Sequence, residues 1–148
     1  MSSTNHEFRC NCPFTSALDI LGDKWILVIV KQMLIEDKVT FKDFTDSDEA
    51  IATNILTVKL KFLEEMGMVH KTQRPDNKKT NLYLLTDKSL ALAPMLIELA
   101  LWSDRHLRTL HPTLANGEGI QNMRNNKAIF AETLVENYRK KWAPFRMK

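Results

Sequence analysis

The pattern of apolar and polar positions is most regular between residues 51 and 86. Leu56, Leu60 and Leu63 recur at i, i+4 and i+7, which predicts the buried face of an α-helix over residues 52–66. Gly67 follows directly, at a position where a helix ends and a residue tolerant of positive φ is favoured. This segment is therefore predicted to be one amphipathic helix with a glycine C-cap.

Two short strands are predicted after this helix, over residues 68–72 and 82–86, with a polar turn between them that contains Pro75. Helix, glycine, strand, basic turn and strand follow in the order typical of a winged helix-turn-helix. In that fold, one helix enters the DNA major groove and the hairpin lies along the backbone. The predicted fold class is mainly α with a small β-hairpin wing, dimeric, and with extra C-terminal helices.

Further helices are predicted before this segment. Residues 15–21 read as a short first helix that Gly22 ends, and Asp23 is a good N-cap for a second helix through residue 35. The apolar run 25–30 could by itself be a buried strand, but the cap and the length favour a helix. A short strand over 39–41 and a third helix that starts over 41–44 are also predicted.

One long helix is predicted over residues 87–110, and Pro94 within it should kink it. Its apolar residues are too many for one stripe, so a second subunit is expected to cover some of them, with Leu99 and Trp102 near the contact. A last helix is predicted over residues 120–141. Its aromatic row is interpreted as a packing face and comprises Phe130, Tyr138 and Trp142.

The length of 148 residues is enough for one domain with a real core. We divide it into an N-terminal arm (1–12), a DNA-binding and dimerisation domain (13–110) and a helical extension (111–148). The net charge of +3 is only mildly basic. Residues 36–49 carry six acids and two lysines, and Asp46, Asp48 and Glu49 are expected to be solvated and to point away from DNA.

Several classes of protein are disfavoured by the sequence. We find no glycine-rich phosphate loop, no H-E-x-x-H and no G-x-S-x-G, so neither an enzyme nor a cofactor is expected, and no standard metal-binding pattern is present. The N-terminus lacks an apolar export signal, and the longest apolar run, 25–30, is far too short to cross a membrane. A cytoplasmic protein is therefore expected.

The candidate DNA-binding residues lie on two surfaces. Those opposite the leucine stripe combine an amide that can pair with adenine, methyl groups that can contact thymine, and a lysine for phosphate or guanine: Thr53, Asn54, Thr57, Val58 and Lys61. Cations at the hairpin tip suit phosphate contacts: Arg74, Lys78 and Lys79. The expected partner is double-stranded DNA, and a winged helix that binds protein remains an alternative.

Cys10 and Cys12 precede the first helix. A thiolate near a helix N-terminus or a cation can be reactive, and Arg9 and Lys24 are possible cations. Oxidant or electrophile sensing, an inert structural thiol and metal binding with His6 all remain open from the residues alone.

An ordered set of motifs resembles HxlR-type transcriptional regulators over residues 10–108. The motifs are Cys12-Pro13, residues 18–25, residues 51–60 with Leu63-Glu64, Gly67, Tyr83-x-Leu85-Thr86, Pro94 and Trp102. The resemblance implies a dimeric winged-helix DNA-binding protein of MarR-like architecture. It also implies that Cys12, before the proline, is the sensing candidate rather than Cys10. Ala52 stands where a serine commonly caps the recognition helix. A response to a small ligand or a metal is an alternative, and the effector is unknown.

Overall fold

The computed structural model describes residues 6–146. Within them the chain forms eight helices and one two-stranded antiparallel sheet. In chain order these are α1 (Pro13–Leu21), α2 (Lys24–Ile35), α3 (Phe41–Thr45), α4 (Thr53–Glu65), β1 (Val69–Gln73), β2 (Asn81–Leu85), α5 (Asp87–Leu90), α6 (Ala93–His106), α7 (Glu118–Asn125) and α8 (Lys127–Arg146). The predicted mainly helical fold with a hairpin wing is confirmed.

The start of α1 and the cap of α2 follow from local chemistry. α1 begins at Pro13, two residues before the predicted start, because proline fits the first helical turn. A Cβ at Gly22 would lie 2.5 Å from the carbonyl oxygen of Leu18, so the close approach there requires glycine. The side chain of Asp23 accepts a hydrogen bond from the Trp25 amide at 2.7 Å, which confirms it as the N-cap of α2.

α2 lies at the centre of the core. Ile26, Ile29, Val30 and Met33 are almost completely buried on one side of this helix. The run over residues 25–30 is therefore a buried helix and not a strand.

The strand predicted over residues 39–41 was wrong. The Asp43 side chain accepts hydrogen bonds from the Val39 and Thr40 amides, and Thr40 forms a capping box with Asp43. These contacts start α3 at Phe41. Within the described residues, this segment makes one sheet-like bond, from the Tyr83 amide to the Val39 carbonyl oxygen at 2.7 Å.

Glu49 is not the solvated residue that the acidic composition of its segment suggested. Its carboxylate accepts hydrogen bonds from Lys31 and from the buried side chain of Gln32. Burial would raise the pKa of this carboxyl, but the hydrogen bonds from Lys31 and Gln32 outweigh burial and lower it. Glu49 therefore ties the loop before α4 to α2.

α4 and the hairpin agree closely with the predicted pattern. Leu56, Leu60 and Leu63 are buried, and Gly67 has the positive φ of 72° that its place after the helix predicted. The hairpin pairs Val69 with Leu85 and continues in register to its tip. β1 begins and ends one residue later than predicted, whereas β2 begins and ends one residue earlier.

The single helix predicted over residues 87–110 was wrong. The chain forms α5, a turn and then α6, which ends at His106. Pro94 lies in the first turn of α6, where its missing N–H would have had no intrahelical partner, so it starts a helix and does not kink one.

The last predicted helix is two helices. Asn126 separates α7 from α8, and its side-chain oxygen accepts from the Ile129 amide at 3.1 Å, as an N-cap does. α8 packs on α2 and α6, and Ala131 and Tyr138 enter the same core. The extension therefore covers part of the α6 surface that was assigned to a second subunit.

Among residues 6–146, no helix combines the length and apolar character needed to span a membrane.

Candidate nucleic-acid interface

The exposed face of α4 is set by the anchoring of its opposite face. The leucine stripe is buried, and Lys59 forms a 2.6 Å ion pair with Asp23, the residue that caps α2. This leaves all five predicted recognition residues of α4 exposed: Thr53, Asn54, Thr57, Val58 and Lys61.

The first turn of α4 is open at its cap. Ala52 is the N-cap and has no side-chain acceptor, so the first amides of the helix are left to solvent or to an anion such as phosphate. Ala52 therefore occupies the N-cap position that the sequence predicted, without the side-chain cap that a serine would provide.

The side chains on the exposed face have distinct chemistry. The Thr57 hydroxyl donates to the Thr53 carbonyl oxygen at 2.8 Å, so its proton is used within the helix. Val58 is 61% exposed, and its methyl groups are suited to contact with the methyl group of thymine. Asn54 offers both a donor and an acceptor, as bidentate pairing with adenine requires.

The hairpin tip is built by its own hydrogen bonds. The Asn77 side chain accepts from the Lys79 amide at 3.1 Å and donates to the Thr80 hydroxyl at 3.0 Å. The three predicted tip cations, Arg74, Lys78 and Lys79, are all exposed. Arg74 pairs with Asp76 at 3.2 Å, but both side chains are exposed, so this pair is weak.

Cys12 is the N-cap of α1 and is exposed. The pKa of its thiol is lowered, mainly by the Thr15 amide and further by the Thr15 hydroxyl and the Phe14 amide. The two cations proposed from the sequence are engaged elsewhere: Arg9 pairs with Asp19 at 2.6 Å, and Lys24 lies over the Trp25 ring. The start of the helix therefore favours the thiolate, and neither Arg9 nor Lys24 is among the groups that lower its pKa.

The described part of the chain contains no cluster of side chains that supports the metal-binding alternative. Residues 6–146 contain no group of three or more histidine, cysteine, aspartate or glutamate side chains arranged to hold an ion. His6 instead contacts the rings of Phe8 and Phe62 edge-on.

An apolar surface lies away from α4 and the hairpin. Leu99 is 49% exposed and Trp102 is 56% exposed, and both line a cleft of about 1110 Å³ between α6 and the α7–α8 junction. Phe14 and Leu18 on α1 are also exposed, and the sequence analysis did not select them. Their i, i+4 spacing, which places both on one face of α1, was the signal in the sequence that could have identified this surface.

Comparison with known proteins gives one family. The model of the HxlR-like helix-turn-helix family matches residues 20–111. YvaP, an HTH-type transcriptional regulator of Bacillus subtilis, is 36% identical over 93 residues, which are 62% of this chain and 85% of YvaP.

Two solved structures have a similar fold. The reduced form of the transcriptional regulator YodB from B. subtilis has a TM-score of 0.54 and 29% identity, and the match covers 66% of this chain and 95% of YodB. The redox regulator HypR in its reduced form has a TM-score of 0.57 and 25% identity, with 68% and 99% covered.

Proposed function

Because the chain belongs to the HxlR-like helix-turn-helix family of transcriptional regulators, we propose that it binds a pseudo-palindromic operator as a homodimer. The observation that carries the proposal is the exposed face of α4, which holds Asn54, Val58 and Lys61 and is followed directly by a hairpin with a basic tip. α4 would read base edges in the major groove, and the hairpin cations would bind phosphates.

The homodimer is supported by apolar surface in the single chain. Leu99 and Trp102 on α6 and Phe14 on α1 would each be buried against a second copy. Two copies related by a two-fold axis would place their α4 helices in successive major grooves, ~34 Å apart.

The decisive experiment is a fluorescence-anisotropy titration of the purified protein with the DNA upstream of its own gene. A scrambled duplex of equal length is the control. We expect tighter binding to the upstream DNA, with a steep dependence on salt. Equal affinity for both duplexes would remove sequence-specific binding, and no binding to either would favour a winged helix that contacts protein.

A second role, oxidant or electrophile sensing through Cys12, is favoured by its place at the start of α1. The thiol is exposed and its pKa is lowered there, and a reactive cysteine needs both features. HypR, one of the similar structures, is a redox regulator. Modification of Cys12 would crowd α1, whose exposed Phe14 belongs to the proposed dimer surface.

The proposed role consists of binding and regulation, with no catalytic step. Because bacterial chromosomes lie in the cytoplasm and the relatives of this chain are bacterial proteins, a DNA-binding role would place the protein in the cytoplasm.

A further inference from the structure

The outer edge of the hairpin is closed by two contacts. β2 pairs with β1 on one side only, so its other edge carries amides that need acceptors. The Tyr83 amide donates to the Val39 carbonyl oxygen at 2.7 Å. The Leu85 amide donates to the hydroxyl oxygen of Tyr138 at 2.8 Å.

Tyr138 belongs to α8, which follows the segment that the family model matches. The side chain is 2% exposed and belongs to the hydrophobic core. The surrounding packing therefore fixes the position of the hydroxyl group, and the base of the hairpin is held from 53 residues away.

α8 also faces the other end of the hairpin across a cavity. Trp142, one turn after Tyr138, and Phe145 line a cavity of about 350 Å³ together with Arg74, Pro75 and Leu82. The helix therefore contacts the hairpin at its base, through Leu85, and near the tip it lines the same cavity as the cation Arg74.

The ion pairs of the same helix cannot account for this contact. Arg139 pairs with Asp87 at 3.4 Å and Lys141 with Asp37 at 3.1 Å, but all four side chains are at least half exposed. Exposed pairs contribute little, so among these interactions the buried hydroxyl of Tyr138 is the one that joins α8 to the hairpin.

We propose that Tyr138 and Trp142 are positioning residues for DNA binding, which hold the hairpin so that its tip cations meet the phosphate backbone. A two-stranded hairpin alone is marginally stable in water, and ordering it upon binding would reduce affinity. The hydrogen bond at the base, with Trp142 bounding the cavity behind the tip, would reduce that cost before DNA is bound. The proposal rests on the proposed DNA-binding function.

The test is a double-mutant cycle measured by DNA affinity and its salt dependence. Tyr138→Phe keeps the ring and removes the hydroxyl acceptor, and Trp142→Ala removes the indole ring that lines the cavity near the tip. Each of these variants is then combined with Lys79→Ala in the wing and, separately, with Asn54→Ala in α4. Asn137→Ala, on the exposed neighbour of Tyr138, is the matched control. The melting temperature of each variant shows whether it is folded at the assay temperature.

We expect Tyr138→Phe and Trp142→Ala each to weaken DNA binding by on the order of 3- to 30-fold and to flatten the salt dependence. In the Tyr138→Phe and Trp142→Ala proteins, Lys79→Ala should reduce DNA affinity by a smaller factor than in the parent. Asn54→Ala should reduce it by the same factor as in the parent. We also expect faster hydrogen exchange of the Leu85 amide in Tyr138→Phe, with the control unchanged in every measurement.

Two outcomes overturn the inference. If Lys79→Ala costs the same affinity in all backgrounds, α8 does not position the wing. If the variants lower only the melting temperature and leave DNA affinity unchanged, the contact is structural alone. If neither Lys79→Ala nor Asn54→Ala weakens DNA binding when made in the parent protein, the proposed DNA interface itself is contradicted. Failure of this inference and failure of the proposed function are therefore distinguishable.

Discussion

Single residues in this protein often serve two elements. Asp23 caps α2 through the Trp25 amide and pairs with Lys59 on α4. Burial would raise the pKa of its carboxyl, but the hydrogen bonds from Lys59 and Trp25 lower it overall. One side chain thus both starts the central helix and orients the proposed recognition helix.

At the same scale, base-reading and phosphate-binding residues should differ in their effects. We expect Asn54→Ala to weaken the preferred site by ~1–3 kcal/mol relative to a site changed at the contacted base. Lys79→Ala should weaken all sequences similarly and reduce the salt slope by about one unit. The measurement is anisotropy at several salt concentrations, with Glu64→Gln at the far end of α4 as the control. Equal losses on specific and random DNA would remove Asn54 from base reading.

The reactivity of Cys12 provides the second residue-scale prediction. Because the Thr15 amide lowers the pKa of its thiol, the thiolate should persist to lower pH than that of a free cysteine, whose pKa is about 8.5. The alkylation rate of each cysteine, measured against pH by mass spectrometry, should give Cys12 a lower midpoint than a free-cysteine peptide measured in the same buffer.

The associated functional test is DNA binding under mild oxidant. Cys12→Ser should lose any response, whereas Cys10→Ser should keep it. If Cys12 alkylates no faster than free cysteine and the response survives Cys12→Ser, the signal of this regulator is sensed elsewhere.

At the scale of elements, Asp104 joins α6, the following loop and α7. Arg108 and Arg124 both donate to its carboxylate, and Arg108 also donates to the carbonyl oxygens of Leu114 and Ala115. The side chain of Asp104 is 13% exposed. The start of the extension is therefore held by one carboxylate between two guanidinium groups.

This cluster predicts a pH-dependent contribution to stability. The hydrogen bonds from Arg124 and then Arg108 hold the pKa of Asp104 well below its usual range. Its contribution is therefore complete above the unfolded pKa of about 3.9 and is lost as the pH falls towards the folded value. Asp104→Asn should lower the melting temperature at pH 7.

The difference in melting temperature between the parent and Asp104→Asn should narrow as the pH falls from about 5 towards 3. Asp46→Asn is the control, because its ion pair with Lys42 is exposed and contributes little. A difference that stays constant across this range would show that Asp104 acts by packing alone.

At the scale of the whole molecule, the apolar surface left exposed on α6 and α1 bears on the proposed homodimer. α7 and α8 cover part of α6, yet Leu99 and Trp102 stay exposed beside a large cleft. Phe14 adds a further apolar side chain on α1. These surfaces are what a second copy would bury.

We expect the protein to sediment as a dimer at micromolar concentration. Trp102→Glu or Leu99→Glu should shift it towards monomer, because a charge would have to be buried at the contact. DNA affinity should fall with the loss of the second half-site. Thr133→Glu, on an exposed position of α8, is the matched control. A parent that sediments as a monomer would contradict the two-half-site arrangement.

Local pattern determined much of this protein. The spacing of Leu56, Leu60 and Leu63, the glycine after the helix and the cap at Asp23 each specify structure within a few residues, and all are found as predicted. The wing follows from the same kind of signal, because turn residues and alternating strands are neighbours in sequence. The exposed positions of α4 follow too, since burial of the stripe determines the opposite face.

Tertiary structure alone decided the rest. The carboxylate of Glu49 is held by Lys31 and Gln32, which are 18 and 17 residues away. The acidic composition of its own segment therefore gave no sign of these contacts. The apolar excess of α6 could be covered by a second copy or by the chain itself, and only packing showed that α7 and α8 cover part of it. In the sequence, Tyr138 is one member of an aromatic row. Only the fold shows that its hydroxyl accepts a hydrogen bond from the outer edge of β2. Periodicity shows which face of an element is buried, but the partner of that face depends on the free energy of packing distant segments together.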